Sequence, residues 1–181
     1  MNDSGNDIPR ETIRPGSLPA EHTAYLSLGS NINPAENLSK AVALLRERTR
    51  VLSVSTCWET EAIAGQTSQA KWPNFFNMGA CVVTSLETEA LKMQVLRPIE
   101  TGLGRVRGTD KYAPRTIDLD IVVFDGQIVD NDLWQRLYLA LIFDELLPDL
   151  RNPETGETPG VTAARLSPGK IAIRHPEIDF A

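Results

Sequence analysis

Two carboxylates separated by one residue are the strongest chemical signal in the sequence. Asp118 and Asp120 lie in the run 116–124, whose apolar residues predict a β-strand. Residues two apart on a strand project from the same face, about 6–7 Å apart, so these carboxylates are predicted to share one face. The apolar residues of the run are predicted to point together to the other face: Ile117, Leu119, Ile121 and Val123. Repulsion then raises the pKa of at least one carboxyl unless a cation neutralises the pair.

A divalent cation would suit this acidic pair. Mg²⁺ prefers oxygen ligands and is commonly shared with substrate phosphates. Two such ions about 3.5–4 Å apart can be bridged by one pair of carboxylates. The alternative is the polar outer face of an edge strand, because Asp-x-Asp alone is a common pattern.

Three arginines precede the acidic pair and favour phosphate chemistry. Arg105 and Arg107 lie in the run Gly104-Arg105-Val106-Arg107, and Arg115 stands three residues before Asp118. Guanidinium groups suit phosphate oxygens and stay charged. Phosphoryl transfer depends mainly on positioning and charge neutralisation, which metals and arginines together supply. The alternative is salt bridges to the same aspartates, which we disfavour because these charges lack helical i,i+4 spacing.

A short aromatic run is the candidate site for a flat ligand. Phe75 and Asn77 share one strand face by alternation, and Phe76 takes the other. A ring beside an amide suits a flat heterocycle, which can stack on one and hydrogen-bond to the other. The alternative is that both phenylalanines belong to the core.

Several classes of protein are disfavoured by composition. The formal net charge of −6 in 181 residues argues against a general nucleic-acid binder. The sequence has no Walker-type glycine loop, zinc spacing or Ser-His-Asp pattern, and its two histidines, His22 and His175, are expected to be exposed. No apolar run is long enough for a membrane span and no signal peptide is evident, so a cytoplasmic location is expected.

The elements that must position these residues alternate as β-α-β-β-α-β. Helical spacing of Leu38, Ala41, Val42 and Leu45 predicts the first helix. The other predicted elements are strands at 24–29, 49–60, 75–84 and 116–124 and a helix at 87–101, which Pro98 should kink or end. This order predicts an α+β fold of the ferredoxin-like type: an antiparallel sheet with two helices on one face.

Three regions are predicted along the chain. Residues 1–23 are read as a flexible tail, 24–148 as the functional domain, and 149–181 as a C-terminal extension that packs on the domain or trails it. The loops at 61–73 and 108–112 are predicted to close over the ligands.

The combination of motifs resembles the 6-hydroxymethyl-7,8-dihydropterin pyrophosphokinase family of folate biosynthesis. The resemblance runs from about Ala24 to Pro148. The motifs that carry it are Tyr25-Leu26-Ser27-Leu28-Gly29-Ser30-Asn31, Trp58-Glu59-Thr60-Glu61, Phe75-Phe76-Asn77, Gly104-Arg105-Val106-Arg107 and Pro114-Arg115-Thr116-Ile117-Asp118-Leu119-Asp120-Ile121.

The resemblance implies a ferredoxin-like enzyme that moves pyrophosphate from ATP to the pterin hydroxymethyl group and releases AMP. It implies two Mg²⁺ ions on Asp118 and Asp120, which with Arg105 and Arg107 form the catalytic set. The ATP-binding residues that it implies are Glu100, Arg105, Arg107, Arg115 and Arg136. The pterin-binding residues that it implies are Thr60, Ile63, Phe75, Asn77 and Tyr138. A monomer or weak dimer acting without nucleic acid or membrane is expected.

One segment departs from the family pattern. The family has a Pro-His segment before the position of Arg136, whereas this chain runs through Asp130-Asn131-Asp132-Leu133-Trp134-Gln135. His175-Pro176 is an alternative source of the missing histidine. Other functions that remain open are a non-catalytic ferredoxin-like ligand-binding domain, an inactive homologue and, against the charge balance, an RNA-binding module.

Overall fold

The fold is built on one antiparallel sheet. The structure, a computed structural model, describes residues 20–61, 72–106, 113–178 and 180. Within these residues the sheet order is β6-β5-β1-β4-β3-β7, and β2 also pairs with β4. The strands are β1 His22–Ser30, β2 Arg50–Val54, β3 Cys57–Thr60, β4 Phe75–Thr84, β5 Asp118–Phe124, β6 Gln127–Ile128 and β7 Ala172–His175.

Two crossover helical regions cover one face of the sheet, as the ferredoxin-like prediction requires. Helix α1 spans Pro34–Arg48 and buries the predicted apolar stripe: Leu38, Ala41, Val42 and Leu45. The second region consists of α2 Thr88–Leu91, a π-helical turn Lys92–Leu96 and α3 Arg97–Gly102. Their apolar residues share one core with Leu26 and Leu28 of β1.

Pro98 does not end the second helical region. The chain stays helical through Pro98 to Gly102, and the regular α-helical bonding instead gives way to the π-helical turn just before it. A π-turn shifts backbone bonding from i→i+4 to i→i+5, so it accommodates a residue that cannot donate an N–H.

The predicted strand 49–60 is two strands, β2 and β3. The break falls at Ser55 and Thr56, where side chains take over backbone hydrogen bonding. The Gly79 N–H donates to Ser55 Oγ at 2.8 Å, and the Thr56 N–H donates to Glu145 Oε2 at 2.8 Å. These bonds satisfy the backbone without a continuous ladder.

Helix α4, Leu137–Leu146, packs on the face opposite α1. Its apolar side chains form a second core with Val122 and Val123 of β5. Close approach requires Gly79 on β4, because a Cβ there would lie 2.5 Å from Ile142 Cγ2 and 2.7 Å from Leu146 Cδ1. The sheet is therefore covered on both faces, with the two crossover regions on one and α4 on the other.

Because of a register shift in β5, the predicted orientation of Val123 is wrong. Tyr25 pairs with Val123, but the next residue, Leu26, pairs with Ile121, so Val122 is an extra residue. The one-residue insertion reverses the alternation beyond it. Val123 therefore packs in the α4 core, whereas Leu119 and Ile121 pack in the α1 core.

The C-terminal residues add to the sheet and to the core. Helix α5, Pro159–Leu166, packs against α4, β7 pairs with β3, and Phe180 is buried in the α1 core. At the other end, β1 begins at His22, within the range read as a tail; residues 1–19 lie outside the described part. Among the described helices, none has the length and apolar character to cross a membrane.

Candidate active site

Strand pairing around β1 brings most of the predicted site residues to one cavity of about 270 Å³. The cavity lies on the α4 face of the sheet. It is lined by Ser27, Gly29, Thr60, Glu61, Phe75, Asn77, Arg115, Asp118, Asp120, Asp132, Arg136 and Tyr138. The structure thus brings predicted ATP-binding and predicted pterin-binding residues to one cavity, and the lining adds Ser27, Gly29, Glu61 and Asp132 to the binding residues predicted from the sequence.

The acidic pair lies where β5 runs beside β1. Asp118 is paired with Gly29 and Asp120 with Ser27, so both carboxylates face the cavity over small residues. Leu119, between them, is buried in the core on the opposite face. The predicted shared face of the two carboxylates is confirmed.

Asp118 is held between two arginines. Arg105 Nη1 donates to Asp118 Oδ1, and Arg115 Nη1 donates to Asp118 Oδ2. The salt bridges that we disfavoured from the sequence therefore exist. Their physical cause is burial, since the Arg105 and Asp118 side chains are only 11% and 21% exposed and ionised groups so enclosed need opposite charges.

Glu100 supports this cluster from beneath the strand. It is 2% exposed, accepts a hydrogen bond from Arg105 Nη1, and accepts the Leu119 N–H at Oε1 over 3.0 Å. Glu100 therefore anchors both the Arg105 side chain and the β5 backbone between the two aspartates.

Asp120 differs from Asp118 in its surroundings. It is open to solvent on the cavity side, and no described residue donates a hydrogen bond to its carboxylate. Desolvation by the surrounding protein, then repulsion from Asp118 and Glu100, raises the pKa of Asp120 to about 6. Asp120 is therefore a carboxylate that gains from any cation brought next to it.

Asn77 organises the other half of the cavity. Its Nδ2 donates to Thr60 Oγ1 over 3.0 Å, and the side chain is buried. The amide oxygen lies beside Gly29, where a Cβ would be only 3.1 Å from it. With its nitrogen bonded to Thr60, Asn77 has an oxygen left to accept a hydrogen bond from a ligand.

Two aromatic rings line the same half. The Arg115 guanidinium lies 6.0 Å from the centroid of the Phe75 ring. Tyr138 stands at the start of α4, and burial raises the pKa of Tyr138 to about 12, so its ring stays a neutral phenol. Both aromatic side chains border the volume into which Asn77 projects.

Asn31 connects the acidic half of the cavity to the half that contains Asn77. Its Oδ1 accepts the Arg115 N–H at 2.8 Å, and its Nδ2 donates to the Pro73 carbonyl at 3.3 Å. The segment before β5 and the segment before β4 are thus fixed to the end of β1 by one buried amide.

A second cavity of about 260 Å³ meets the first at the acidic pair. Asp118, Asp120 and Arg115 line both, and the second cavity is otherwise lined by Lys92, Leu96, Arg97, Glu100, Arg105 and Leu119. Its cationic side chains suit a polyanion.

Lys92 and Arg97 were not predicted from the sequence as site residues, because the turn between them is π-helical rather than α-helical. They are five residues apart, which an α-helix places on different sides. The Arg97 N–H bonds to the Lys92 carbonyl in the π-helical turn, and both side chains line the second cavity. A π-turn often marks a functional site and has no simple sequence pattern.

Other predicted residues lie elsewhere. Ile63 and Arg107 are outside the described residues, as are the segment 108–112 and most of 61–73. His175 stacks on Phe76 on the α1 face of the sheet and lines neither the cavity nor its neighbour, so it does not take the place of the missing histidine. Neither histidine is simply exposed: His22 pairs with Asp125 at 2.7 Å and His175 with Glu59 at 2.9 Å.

The donor set fits magnesium shared with a phosphate ligand. Among the described residues, no group of three or more histidine, cysteine or acidic side chains could hold a metal by itself. Two carboxylates on one strand face supply hard oxygen donors but too few for a complete protein cage. Mg²⁺ is commonly held in that way, by one or two carboxylates together with substrate phosphates.

Comparison with known proteins gives one consistent family. The profile of the 7,8-dihydro-6-hydroxymethylpterin-pyrophosphokinase (HPPK) family matches residues 25–148. The chain is 33% identical over 143 residues to the 2-amino-4-hydroxy-6-hydroxymethyldihydropteridine pyrophosphokinase of Bacillus subtilis, covering 73% of this chain and 82% of that protein. The protein of the same name from Pseudomonas aeruginosa is 32% identical over 151 residues, covering 77% and 90%.

A solved structure shares the fold. A crystal structure of an HPPK-DHPS protein from Plasmodium falciparum superposes with a TM-score of 0.64 at 13% identity. The match covers 81% of this chain and 46% of that longer one, so this chain spans just under half its length. None of these comparisons supports a non-catalytic ligand-binding domain or an RNA-binding module.

Proposed function

The chain belongs to the 7,8-dihydro-6-hydroxymethylpterin-pyrophosphokinase family. On that premise we propose which of its residues bind ATP, magnesium and the dihydropterin. The family reaction transfers pyrophosphate from ATP to 6-hydroxymethyl-7,8-dihydropterin, giving the pterin diphosphate and AMP, in folate biosynthesis. The enzyme is an ATP-dependent diphosphotransferase.

One observation carries the assignment: the acidic pair lies at the junction of the two cavities. Asp118 and Asp120 therefore stand between a cationic space and a space with aromatic rings and an amide. A transfer between a polyanion and a flat heterocycle needs its charge-neutralising groups at such a junction. We assign ATP to the cationic side, with its transferred phosphates reaching the part of the first cavity that Arg136 lines, and the dihydropterin to the half that contains Phe75 and Asn77.

Asp118 and Asp120 would hold magnesium, in two ions by our proposal. When bound, magnesium would neutralise phosphate charge and orient the polyphosphate. Asp118 already has arginine partners, whereas the raised pKa of Asp120 reflects a site that favours a cation. The two carboxylates are therefore unequal, and Asp120 gains more from neutralisation.

Arg105, Arg115 and Arg136 bind and orient the phosphates of ATP. Arg105 and Arg115 are held at the junction by Asp118, so they are pre-positioned rather than free in solution. Pre-positioned charge stabilises a transition state without reorganisation. Glu100 contributes indirectly, by fixing Arg105 and the Leu119 backbone, and Lys92 and Arg97 extend the cationic wall.

Thr60, Phe75, Asn77 and Tyr138 bind the dihydropterin. Asn77 accepts a hydrogen bond from the edge of the heterocycle, and the rings of Phe75 and Tyr138 enclose its faces. The hydroxymethyl oxygen then attacks the β-phosphorus of ATP and loses its proton to solvent, while the bond from that phosphorus to the oxygen bridging it to the α-phosphate breaks and AMP leaves. Such direct transfer needs no protein nucleophile, and the described residues that line the cavity include no serine–histidine or cysteine–histidine pair.

Several expectations stay predictions: the roles of Ile63 and Arg107, closure by 61–73 and 108–112, a cytoplasmic location, and a monomer or weak dimer. In the segment that lacks the family's Pro-His residues, Asp132 and Arg136 line the cavity.

The direct test is AMP formation from ATP and Mg²⁺ with and without 6-hydroxymethyl-7,8-dihydropterin. We expect AMP to appear only with the pterin, with one pterin diphosphate per AMP. Pterin-independent release of ADP and phosphate, or no turnover at all, would contradict the proposal. Asp120→Asn provides the inactive control.

A further inference from the structure

The C-terminal strand β7 lies outside the matched region 25–148, yet it extends the sheet beside the site. It pairs with β3, so that Cys57 lies opposite His175 and Thr60 lies opposite Ala172. Strand β3 is only four residues long, and β7 gives it a second neighbour besides β4.

His175 belongs to a chain of hydrogen bonds that starts on β7 and ends before β4. Its Nδ1 bonds to Glu177 Oε1 over 2.7 Å and its Nε2 to Glu59 Oε2 over 2.9 Å. The other oxygen of Glu59 accepts from Asn74 Nδ2 at 2.8 Å. The His175 ring also stacks on Phe76, with centroids 4.7 Å apart and planes 20° apart.

This network lies directly behind the heterocycle-binding half of the cavity. Glu59 pairs with Phe76 across β3 and β4, and both side chains point to the α1 face. Their neighbours along the two strands, Thr60, Phe75 and Asn77, point to the cavity on the other face. The network therefore holds the backbone at the two strand ends from which these cavity side chains project.

We infer that His175 is a positioning residue for dihydropterin binding, acting through Glu59 and Asn74 on the strand ends that carry Thr60, Phe75 and Asn77. This inference rests on the proposed placement of the pterin in that cavity half. Within the described part of the chain, the hydrogen-bonding and stacking partners of His175 are Glu177, Glu59 and Phe76, none of which we assign to ATP.

The pKa shifts of His175 and Glu59 support a strong hydrogen bond between these two residues. Hydrogen bonds to Glu177 and Glu59 raise the pKa of His175, and bonds from Asn74 and His175 lower the pKa of Glu59. The facing thiol of Cys57 is kept neutral, because burial raises its pKa to about 12. A charge-assisted bond within a mostly enclosed group restrains its partners more than a neutral surface bond does.

Removing the His175 side chain should change the KM of the pterin and not that of ATP. Asp118, Arg105 and Arg115 are held by β5, Glu100 and Asn31, and of these Asn31 approaches the network only through its 3.3 Å bond to the Pro73 carbonyl, next to Asn74. Loss of the His175–Glu59 bond should raise the pterin KM about fivefold, the equivalent of one such hydrogen bond, and leave the ATP KM within about twofold.

The test compares His175→Ala, His175→Gln and a matched histidine control, His22→Ala, in the full chain. Glutamine can still donate to Glu59, so we expect it to restore most of the pterin KM. His22 also pairs with a carboxylate and stacks on a phenylalanine, but at the far end of β1. Steady-state kinetics in each substrate and thermal unfolding are measured for all three.

Three outcomes would overturn the inference. One is an unchanged pterin KM in His175→Ala despite a lower Tm, which would show that His175 stabilises the fold without affecting pterin binding. Another is an equal rise in both KM values, and the third is His175→Gln behaving like His175→Ala. If His175→Ala does not fold, Glu59→Gln gives the same readout, because it weakens the acceptor while keeping its shape. Wild-type pterin-dependent AMP formation separates failure of this inference from failure of the proposed function.

Discussion

Asp118 and Asn77 lie directly opposite the same residue of the central strand, Gly29, one on each side. Neighbouring strands are about 4.8 Å apart, so the two backbones are held roughly 10 Å apart by one sheet. The residue that we assign to metal and phosphate and the residue that we assign to the pterin thus have a spacing set by strand pairing rather than by loops. Positioning of this kind supplies a large part of the rate in a two-substrate reaction.

Gly29→Ala should selectively weaken pterin binding. The added Cβ would lie 3.1 Å from Asn77 Oδ1 and 3.7 Å from Phe75 Cδ1, so the amide must shift. We expect the pterin KM to rise about tenfold, as for one displaced hydrogen bond, with the ATP KM little changed. Steady-state kinetics in each substrate provide the measurement. Gly102→Ala is the matched control, since a Cβ there meets nothing within 4 Å; a comparable effect in that variant would contradict the explanation.

The two aspartates should differ in what they do to stability, although both are needed for turnover. Asp118→Asn removes the carboxylate that Arg105 and Arg115 share, although Arg105 keeps its bond to Glu100, and we expect it to destabilise the protein by about 2 kcal/mol. Asp120→Asn removes a carboxylate whose charged form is disfavoured, and we expect it to stabilise the substrate-free protein by about 1 kcal/mol at pH 7.5, after allowance for its exposure to solvent. Each variant should lose roughly 10²–10³-fold or more in kcat.

The stability gained by Asp120→Asn should be larger at high pH than at low pH. Because the pKa of Asp120 is raised to about 6, the folded protein binds this proton more tightly than the unfolded chain does. The cost of the carboxylate is fully present above pH 6 and disappears as pH falls towards 4. The Tm advantage of the variant, about 2–4 °C at pH 7.5, should therefore vanish near pH 4. An advantage independent of pH would contradict this origin.

The acidic pair could be predicted from the sequence because strand alternation is a local property. Val123 could not, since its orientation depends on the extra residue Val122 in the pairing with β1. Likewise the apolar stripe of α1 follows from spacing alone, whereas the division of 49–60 into two strands depends on Glu145 from distant α4.

The remaining misses have similar causes. Lys92 and Arg97 reach one cavity through a π-helical turn that no periodicity marks. The role of β7 depends on long-range pairing with β3 and lies beyond the region of family resemblance, so the sequence suggested His175 only as a replacement for the missing histidine and not as a partner of Glu59.

Arg97→Ala should weaken ATP binding without affecting the pterin. The side chain lines only the second cavity, on the ATP side of the acidic pair. Loss of one partly enclosed cation should raise the ATP KM about three- to tenfold, and the effect should shrink at high salt. Kinetics at low and high ionic strength check this. Lys40→Ala, which removes an exposed lysine paired with Glu36 on α1, is the control; an effect of Arg97→Ala confined to the pterin KM would reverse our assignment of the two cavities.

Asp132→Asn should improve ATP binding. Asp132 lines the first cavity in the segment that departs from the family pattern, and it pairs with Arg136 Nε at 3.2 Å. Its carboxylate repels a polyphosphate and competes for the arginine that we assign to ATP, so neutralising it should lower the ATP KM about two- to threefold. Stability should hardly change, because exposed ion pairs contribute little. Glu36→Gln breaks a similar exposed i,i+4 pair on α1 and should leave the kinetics unaltered. A higher ATP KM in Asp132→Asn would instead show that Asp132 holds Arg136 in its binding orientation.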